Sequence, residues 1–354
     1  MRQAPPSSLA ALFLIASVSI PLSGCGSVLA ATSAPSDPSA ATPTLLHRGQ
    51  VVFETREPTR TGASRALGRR PARFVRIELL RSGEVIGRGA TDSSGAFAID
   101  APPADTVRVV AEVDFDGHRI AVGPDASGAL PQALERPVAD PAAPLELVAA
   151  DLDTDAPAGA FHILDTMLRG SVAVREWTGE RLPPSYAYWQ RGVTDDWSYY
   201  RGLRSGRHVI ELLGGEPGRQ ESSDTDEHDE DIVLHEFGHF VMDVLTSDSS
   251  SGGTHPTGFL IDPGLAWEEG RASWFAAAVQ GRPLYQDTIG IEPRGELRVD
   301  YDFEVRGQGP RGIGSEEGVA EVLWDLSDGA GGLPDRDDDG VALGAAAVLD
   351  AMRA

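Results

Sequence analysis

Asp231-Ile232-Val233-Leu234-His235-Glu236-Phe237-Gly238-His239-Phe240 is the stretch on which the reading of this 354-residue chain turns. On a helix, His235 and His239 stand four residues apart and share one face. Two neutral imidazoles at that spacing can bind one zinc ion, and Glu236 beside it can take a proton from water. Ile232, Val233, Phe237, Phe240, Val241, Val244 and Leu245 predict a buried helix. Asp226, Glu227, Asp229, Glu230 and Asp231 crowd its start, where the helix dipole favours negative charge. A core helix with two incidental histidines fits the same residues, so a metal reading needs a further ligand from elsewhere.

Downstream, Leu265-Ala266-Trp267-Glu268-Glu269-Gly270-Arg271-Ala272-Ser273-Trp274-Phe275-Ala276 is apolar apart from its charged residues and has helical length. A carboxylate would complete a His2Glu zinc site with one position open to water, and Glu268 and Glu269 are both available. The E-G-x-A/S placement resembles the second motif of the gluzincin metallopeptidases, such as the aminopeptidase N and fungalysin families. That resemblance implies that Glu269, directly before the glycine, is the third ligand. It also implies hydrolysis of a peptide or protein substrate with Glu236 as the general base. The metzincin pattern fails, because its glycine and third histidine would fall on Met242 and Leu245. Glu317–Leu326 looks like the late helix of fungalysin-like peptidases, and the resemblance covers residues 160–330. Thermolysin-like and fungalysin-like enzymes carry Asp four residues after the glutamate ligand. Here Ser273 takes that place, a weaker orienter of a zinc histidine. Hydrolysis also needs a donor for the developing oxyanion, and His255, Tyr285, Tyr301 and Arg306 are the candidates.

The N-terminus reads as an export signal. Arg2 precedes the apolar run Leu9–Ile20, too short for a membrane span, and Leu22-Ser23-Gly24-Cys25 follows. This resembles the lipobox of bacterial lipoproteins. It implies cleavage before Cys25, acylation of that residue and anchoring to the cell envelope, with Gly26 pointing to the outer membrane. Cys25 is the single cysteine, so no intrachain disulfide can form. Residues 1–25 are thus the expected signal and 26–45, rich in Ser, Ala, Thr and Pro, a flexible tether.

Residues 46–125 contain six short runs, Leu46–Thr55, Arg73–Leu80, Glu84–Thr91, Ala96–Asp100, Thr106–Val113 and His118–Val122, with turn signals at 92–95 and 116–117. They predict a β-sandwich. Thr91-Asp92-Ser93-Ser94-Gly95-Ala96-Phe97 resembles the T-D-x-x-G-x-F turn of carboxypeptidase regulatory-like domains, which implies a spacer or a module for glycan or protein binding. Residues 126–159, rich in Pro, Ala and Asp, read as a linker, and 160–354 as a zincin-like domain, mainly helical with a small edge sheet. The expected class is therefore α+β. His208–Leu213 reads as the strand whose edge lies along the substrate cleft.

Two acidic runs raise calcium. Asp151-Leu152-Asp153-Thr154-Asp155 lacks the glycine of an EF-hand turn and fits a solvated linker better. Asp335-Arg336-Asp337-Asp338-Asp339-Gly340 opens like an EF-hand loop but has Ala346 at position twelve, so an incomplete Ca2+ site and a plain acidic loop fit equally. The net charge of −24, almost all of it in residues 151–354, excludes the basic face that nucleic-acid binding needs. A second function class stays open: a non-enzymatic envelope-binding lipoprotein with a degenerate zincin domain. The complete set His235, Glu236, His239 and Glu269 favours the enzyme.

Overall fold

Buried and exposed side chains alternate along Leu45–Thr55 and Ala96–Ala101, so each of these strands has one face to bury. The computed structural model describes residues 43–354 apart from 126, 128–129, 152–157, 248–252, 254, 256, 306, 337–339 and 354. The expected signal with Cys25, nearly all of the tether, Arg306, residues 152–155 of the first acidic run and 337–339 of the second lie outside the described residues. The strands are β1 (Leu45–Thr55), a minimal hairpin β2 (Pro58–Thr59) and β3 (Gly62–Ala63), β4 (Gly68–Pro71), β5 (Arg76–Arg81), β6 (Glu84–Ala90) and β7 (Ala96–Ala101). They continue with β8 (Thr106–Val110), β9 (Glu112–Phe115), β10 (His118–Gly123), β11 (Ala133–Pro137) and β12 (Leu145–Ala149).

β1 pairs with β12, β4 and β7 in one sheet, and a second sheet runs β11-β8-β5-β6. Val51, Phe53, Phe97 and Ile99 from the first share a core with Ile77, Leu79, Val107 and Val109 from the second. At the turn before β7, Asp92 Oδ1 accepts from the backbone N–H of Ser94 (2.8 Å) and Ala96 (3.0 Å). Gly95 there has φ +78°, and a Cβ on it would lie 2.4 Å from the Val51 carbonyl oxygen, so glycine is required.

Two expectations change. Residues 126–159 are not a bare linker, because β11 pairs with β8 and β12 pairs in parallel with β1, completing both sheets. The other change concerns β9 and β10. They do not close the sandwich but enter a five-stranded sheet with three strands from the C-terminal part. The boundary drawn at 126–159 therefore does not separate two bodies, and the chain from Pro43 onward is one compact unit.

The C-terminal part contributes α1 (Ala158–Thr178), β13 (Ser185–Tyr188), β14 (Tyr199–Arg204), β15 (Arg207–Glu211), α2 (Glu230–Leu245) and α3 (Pro263–Gln280). It ends in the hairpin β16 (Leu284–Ile289) and β17 (Glu296–Asp302), then α4 (Glu316–Ser327) and α5 (Ala345–Arg353). Helices and several small sheets make the class α+β, as expected. The five-stranded sheet runs β14-β15-β13-β10-β9, so β15 is interior and the edge strand is β14. The edge expected at His208–Leu213 is thus supplied by Tyr199–Arg204.

Local signals fix the helix ends. Asp262 caps α3 by accepting from Gly264 and Leu265 N–H, Pro263 opens the helix, and Gly281 (φ 68°) closes it. Ser315 caps α4 through the N–H of Gly318 (3.0 Å). Two glycines set how closely the helices approach. A Cβ on Gly238 would sit 3.2 Å from the backbone of Ala272, where α2 meets α3. One on Gly270 would lie 2.5 Å from Val319 Cβ and 2.6 Å from the Glu316 carbonyl oxygen, where α3 meets α4.

Buried charge ties α2 to the N-terminal sheets. Glu230, in its first turn, pairs with Arg70 of β4 and with Arg169 (2.6 Å) and His162 (3.1 Å) of α1. His162 Nδ1 lies 3.1 Å from His228 Nδ1, and His228 Nε2 lies 2.8 Å from Asp151, which also holds Arg56 at 2.6 Å. The Asp151 carboxylate is therefore occupied by protein partners rather than open to calcium. Burial alone would raise its pKa, but His228 and Arg56 outweigh burial and hold it well below the usual carboxylate range. A depressed carboxylate stabilises the fold above its unfolded pKa, and that contribution is lost as pH falls below it. Asp151→Asn should cost about 3 kcal/mol at neutral pH, because Arg56 and His228 stay buried without their charge partner. Chemical denaturation should show the gap to wild type narrowing below about pH 4.

Candidate metal centre

Helix α2 carries His235 and His239 on one face, and α3 crosses it so that Glu269 meets both. The Glu269 Oε2 atom lies 3.1 Å from His235 Nε2 and 3.1 Å from His239 Nε2, and the two Nε2 atoms are 3.1 Å apart. Hydrogen bonding does not explain this triangle. A carboxylate oxygen only accepts, so both nitrogens would have to donate to Glu269 Oε2, and the two Nε2 atoms would then face each other with a proton on each. A cation above the triangle satisfies all three atoms. Tetrahedral zinc, with bonds of about 2.0–2.1 Å, sets its ligand atoms about 3.3 Å apart, close to the spacing here. The residues present fit a metal ion of that size, and all three are at least four-fifths buried.

The surroundings orient the triangle. Ser273, one turn after Glu269 on α3, places its Oγ 3.1 Å from His235 Nδ1. A hydrogen bond there keeps the Nδ1 proton outward and the Nε2 lone pair inward. Burial opposes charge on His239, but Glu269 outweighs it and raises the pKa to about 9. Burial would raise the Glu269 pKa, but the His239 charge and the hydrogen bonds of His235, His239 and His255 outweigh it and hold the carboxyl far below the usual range. Glu236 is buried, and burial pushes its pKa up. It accepts a hydrogen bond from the backbone N–H of Tyr200, on the edge strand β14.

Of the oxyanion candidates, two reach the centre. His255 Nε2 lies 3.2 Å from Glu269 Oε1, and its Nδ1 lies 2.8 Å from Glu316 Oε2, at an angle that suits an ion pair rather than a hydrogen bond. These two carboxylates raise its pKa to about 10. Tyr285 packs its ring edge-on to His235 at 5.8 Å, and burial pushes its hydroxyl well up. Tyr301 is the exception. Its hydroxyl donates to Glu321 and it does not line the groove.

All of this sits in a groove of about 740 Å³, of the size that holds a ligand. Tyr199, Tyr200, Arg201 and Gly202 of β14 form one wall, and His235, Glu236, His239, Glu269 and Glu316 lie on the other. Tyr199 and Tyr200 place a strand edge, unpaired among the described residues, beside the metal triangle. Tyr200 is fixed there by its hydroxyl, which donates to Asp243 on α2 at 2.6 Å. A tyrosine-rich strand ahead of the His-Glu helix was the available signal.

Gly270 makes the arrangement possible, because it lets α4 bring Glu316 to His255. Gly270→Ala forces a backbone shift, with an expected loss of roughly 1–3 kcal/mol from overpacking. Metal retention should fall with it, and thermal unfolding with metal analysis on the same sample tests both.

No protein-family model and no curated protein matches the chain. Among solved structures, the precursor of protealysin, a metalloproteinase from Serratia proteamaculans, aligns over 46% of this chain and 42% of its own at 12% identity, with a TM-score of 0.27. A 9R-lipoxygenase from Cyanothece aligns over 66% of this chain and 24% of its own at 11% identity, with a TM-score of 0.16. The chain thus spans less than half the length of either. Superpositions this loose carry no argument about chemistry, which rests on the site itself.

Proposed function

We propose that the chain is a zinc metallopeptidase of gluzincin type, anchored to a bacterial envelope through acylated Cys25. The observation that carries the activity is the Nε2–Nε2–Oε2 triangle with a buried carboxylate, Glu236, next to it in an open groove. His235, His239 and Glu269 would hold one zinc ion. When bound, zinc supplies a Lewis acid that acidifies water and polarises a peptide carbonyl. Glu236 takes the proton from the attacking water and passes it to the leaving amine. Its raised pKa brings it nearer neutral pH, where a base that must later act as an acid is most effective. His255, held protonated by Glu269 and Glu316, is the donor assigned to the developing oxyanion, with Tyr285 as its neighbour. The outer edge of β14 would pair with the substrate backbone and lay the scissile bond across the centre.

Elemental analysis of the purified chain should give one zinc per molecule. A mixed-peptide library should be cleaved, cleavage should stop with a chelator, and zinc should restore it. Stoichiometric zinc without cleavage of any peptide would favour a non-enzymatic envelope-binding protein in which the β-sandwich does the binding. Cys25→Ala should release the protein from membranes, and intact-mass analysis showing an unmodified start downstream of Cys25 would reject the anchor.

A further inference from the structure

Beyond the His–Glu triangle, the same groove holds three carboxylates that the reaction does not use. Asp224 and Asp226 lie in the loop leading to α2, and Asp287 lies on β16. One oxygen from each lies within 4.8 Å of the others. Asp226 is 3% exposed and Asp287 8% exposed. Their partners are few. Asp226 accepts from the Ser198 hydroxyl, and Asp224 Oδ2 pairs with Arg298 at 2.7 Å. Among the described residues, Asp224 Oδ1 and Asp287 Oδ1 are buried with no hydrogen-bond partner. An unpartnered buried carboxylate oxygen costs its full desolvation, and two aimed into one small space add mutual repulsion.

We propose that Asp224, Asp226 and Asp287 bind a divalent cation, calcium by its chemistry, at a second site beside the metal triangle. Every donor is a carboxylate oxygen, the hard ligand that Ca2+ takes, with no nitrogen or sulfur to favour zinc. Oxygens bound at about 2.3–2.6 Å on one ion stand up to about 5 Å apart, which the observed spacing meets. Charge balance selects a dication over a substrate's single ammonium or guanidinium. Three carboxylates against Arg298 leave two negative charges, and Glu227 and Asp229, also buried, electrostatically couple to these acids and add to them. The site would join the approach to α2 to strand β16. The two already meet through the Asp224–Ile289 bridge and the Gly290 N–H to Ser223 carbonyl bond of 3.1 Å. A cation there would lock the segment that leads into the His-Glu helix.

Calcium titration of the full chain, loaded with zinc, tests this. Calorimetry should find one site of this kind, and terbium bound there should luminesce on tryptophan excitation, because Trp197 lines the same groove. Asp287→Asn should weaken calcium binding at least 10-fold and, by removing a repelling charge, should raise the calcium-free melting temperature. Asp224→Asn, partly exposed and less critical to folding, should weaken binding in the same sense. Glu269→Gln should leave the calcium titration unchanged, which separates this site from the zinc-peptidase reading. Wild type showing no calcium response at 10 mM would overturn the proposal. So would calcium binding that neither aspartate variant alters. A calcium-silent wild type in which Asp287→Asn selectively slows cleavage beside arginine or lysine would replace it with a subsite for basic side chains.

Discussion

Glu236→Gln will keep the metal and lose the reaction. The side chain is the same size, and the amide can still accept the Tyr200 N–H, so the wall between α2 and β14 stays in place. None of the three ligand atoms belongs to Glu236, so zinc per chain should match wild type. What disappears is the proton acceptor. A positioned acid–base group contributes on the order of 100- to 10,000-fold, and here the same group acts twice, once on water and once on the leaving amine. Cleavage should therefore fall by at least about 100-fold at every pH. Melting temperature should hold or rise, because a buried carboxylate with a raised pKa is being replaced by a neutral amide. A variant with full metal and wild-type turnover would remove Glu236 from the mechanism. It would transfer the base to another carboxylate in the groove, with Glu316 or Asp243 the next to test.

The parts of this fold legible in sequence are those carried by short-range pattern. His235 and His239 were readable because four residues make about one helical turn, and six N-terminal runs because several of them alternate, whereas the short strands β2, β3 and β4 fell in no run and β8 and β9 were read as one. Ser273 was readable for the same reason, lying one turn from Glu269 on one helix face. Three features were not. The strands Ala133–Pro137 and Leu145–Ala149 are five residues each, and the Pro and Asp around them dominate any composition averaged over 126–159. The parallel pairing of β10 with β13 joins residues more than sixty apart, with only packing to select it. The edge strand Tyr199–Arg204 is partly exposed along its length and lacks the apolar pair Val209-Ile210 of its interior neighbour β15, so pattern favoured the wrong one. Glu268 and Glu269 were equal as donor types. The resemblance separated them, and the packing of α3 against α2 now gives a physical reason.

That reason can be tested by exchanging the two glutamates one at a time. Glu269 presents Oε2 to both histidines, whereas Glu268, about 100° further round the helix, pairs with Arg271. Glu269→Gln removes the only anionic member of the triangle and one of the two carboxylates that hold His255 charged. Two protein ligands do not make a zinc site, so metal affinity should fall by more than the roughly 100-fold that loss of an outer hydrogen bond can cost. Glu268→Gln is not a silent control. Arg271 is 1% exposed, and with its charge partner gone it keeps the Thr246 hydroxyl at 2.8 Å. An unpaired buried guanidinium costs about 3–5 kcal/mol, so this variant should melt well below wild type while each folded molecule keeps its zinc. The two losses are therefore of different kinds, metal for Glu269 and stability for Glu268. Zinc per folded chain, measured after removing unfolded material, tells them apart. If Glu268→Gln strips the metal and Glu269→Gln does not, the third ligand has been misassigned and α3 must turn by one residue against α2.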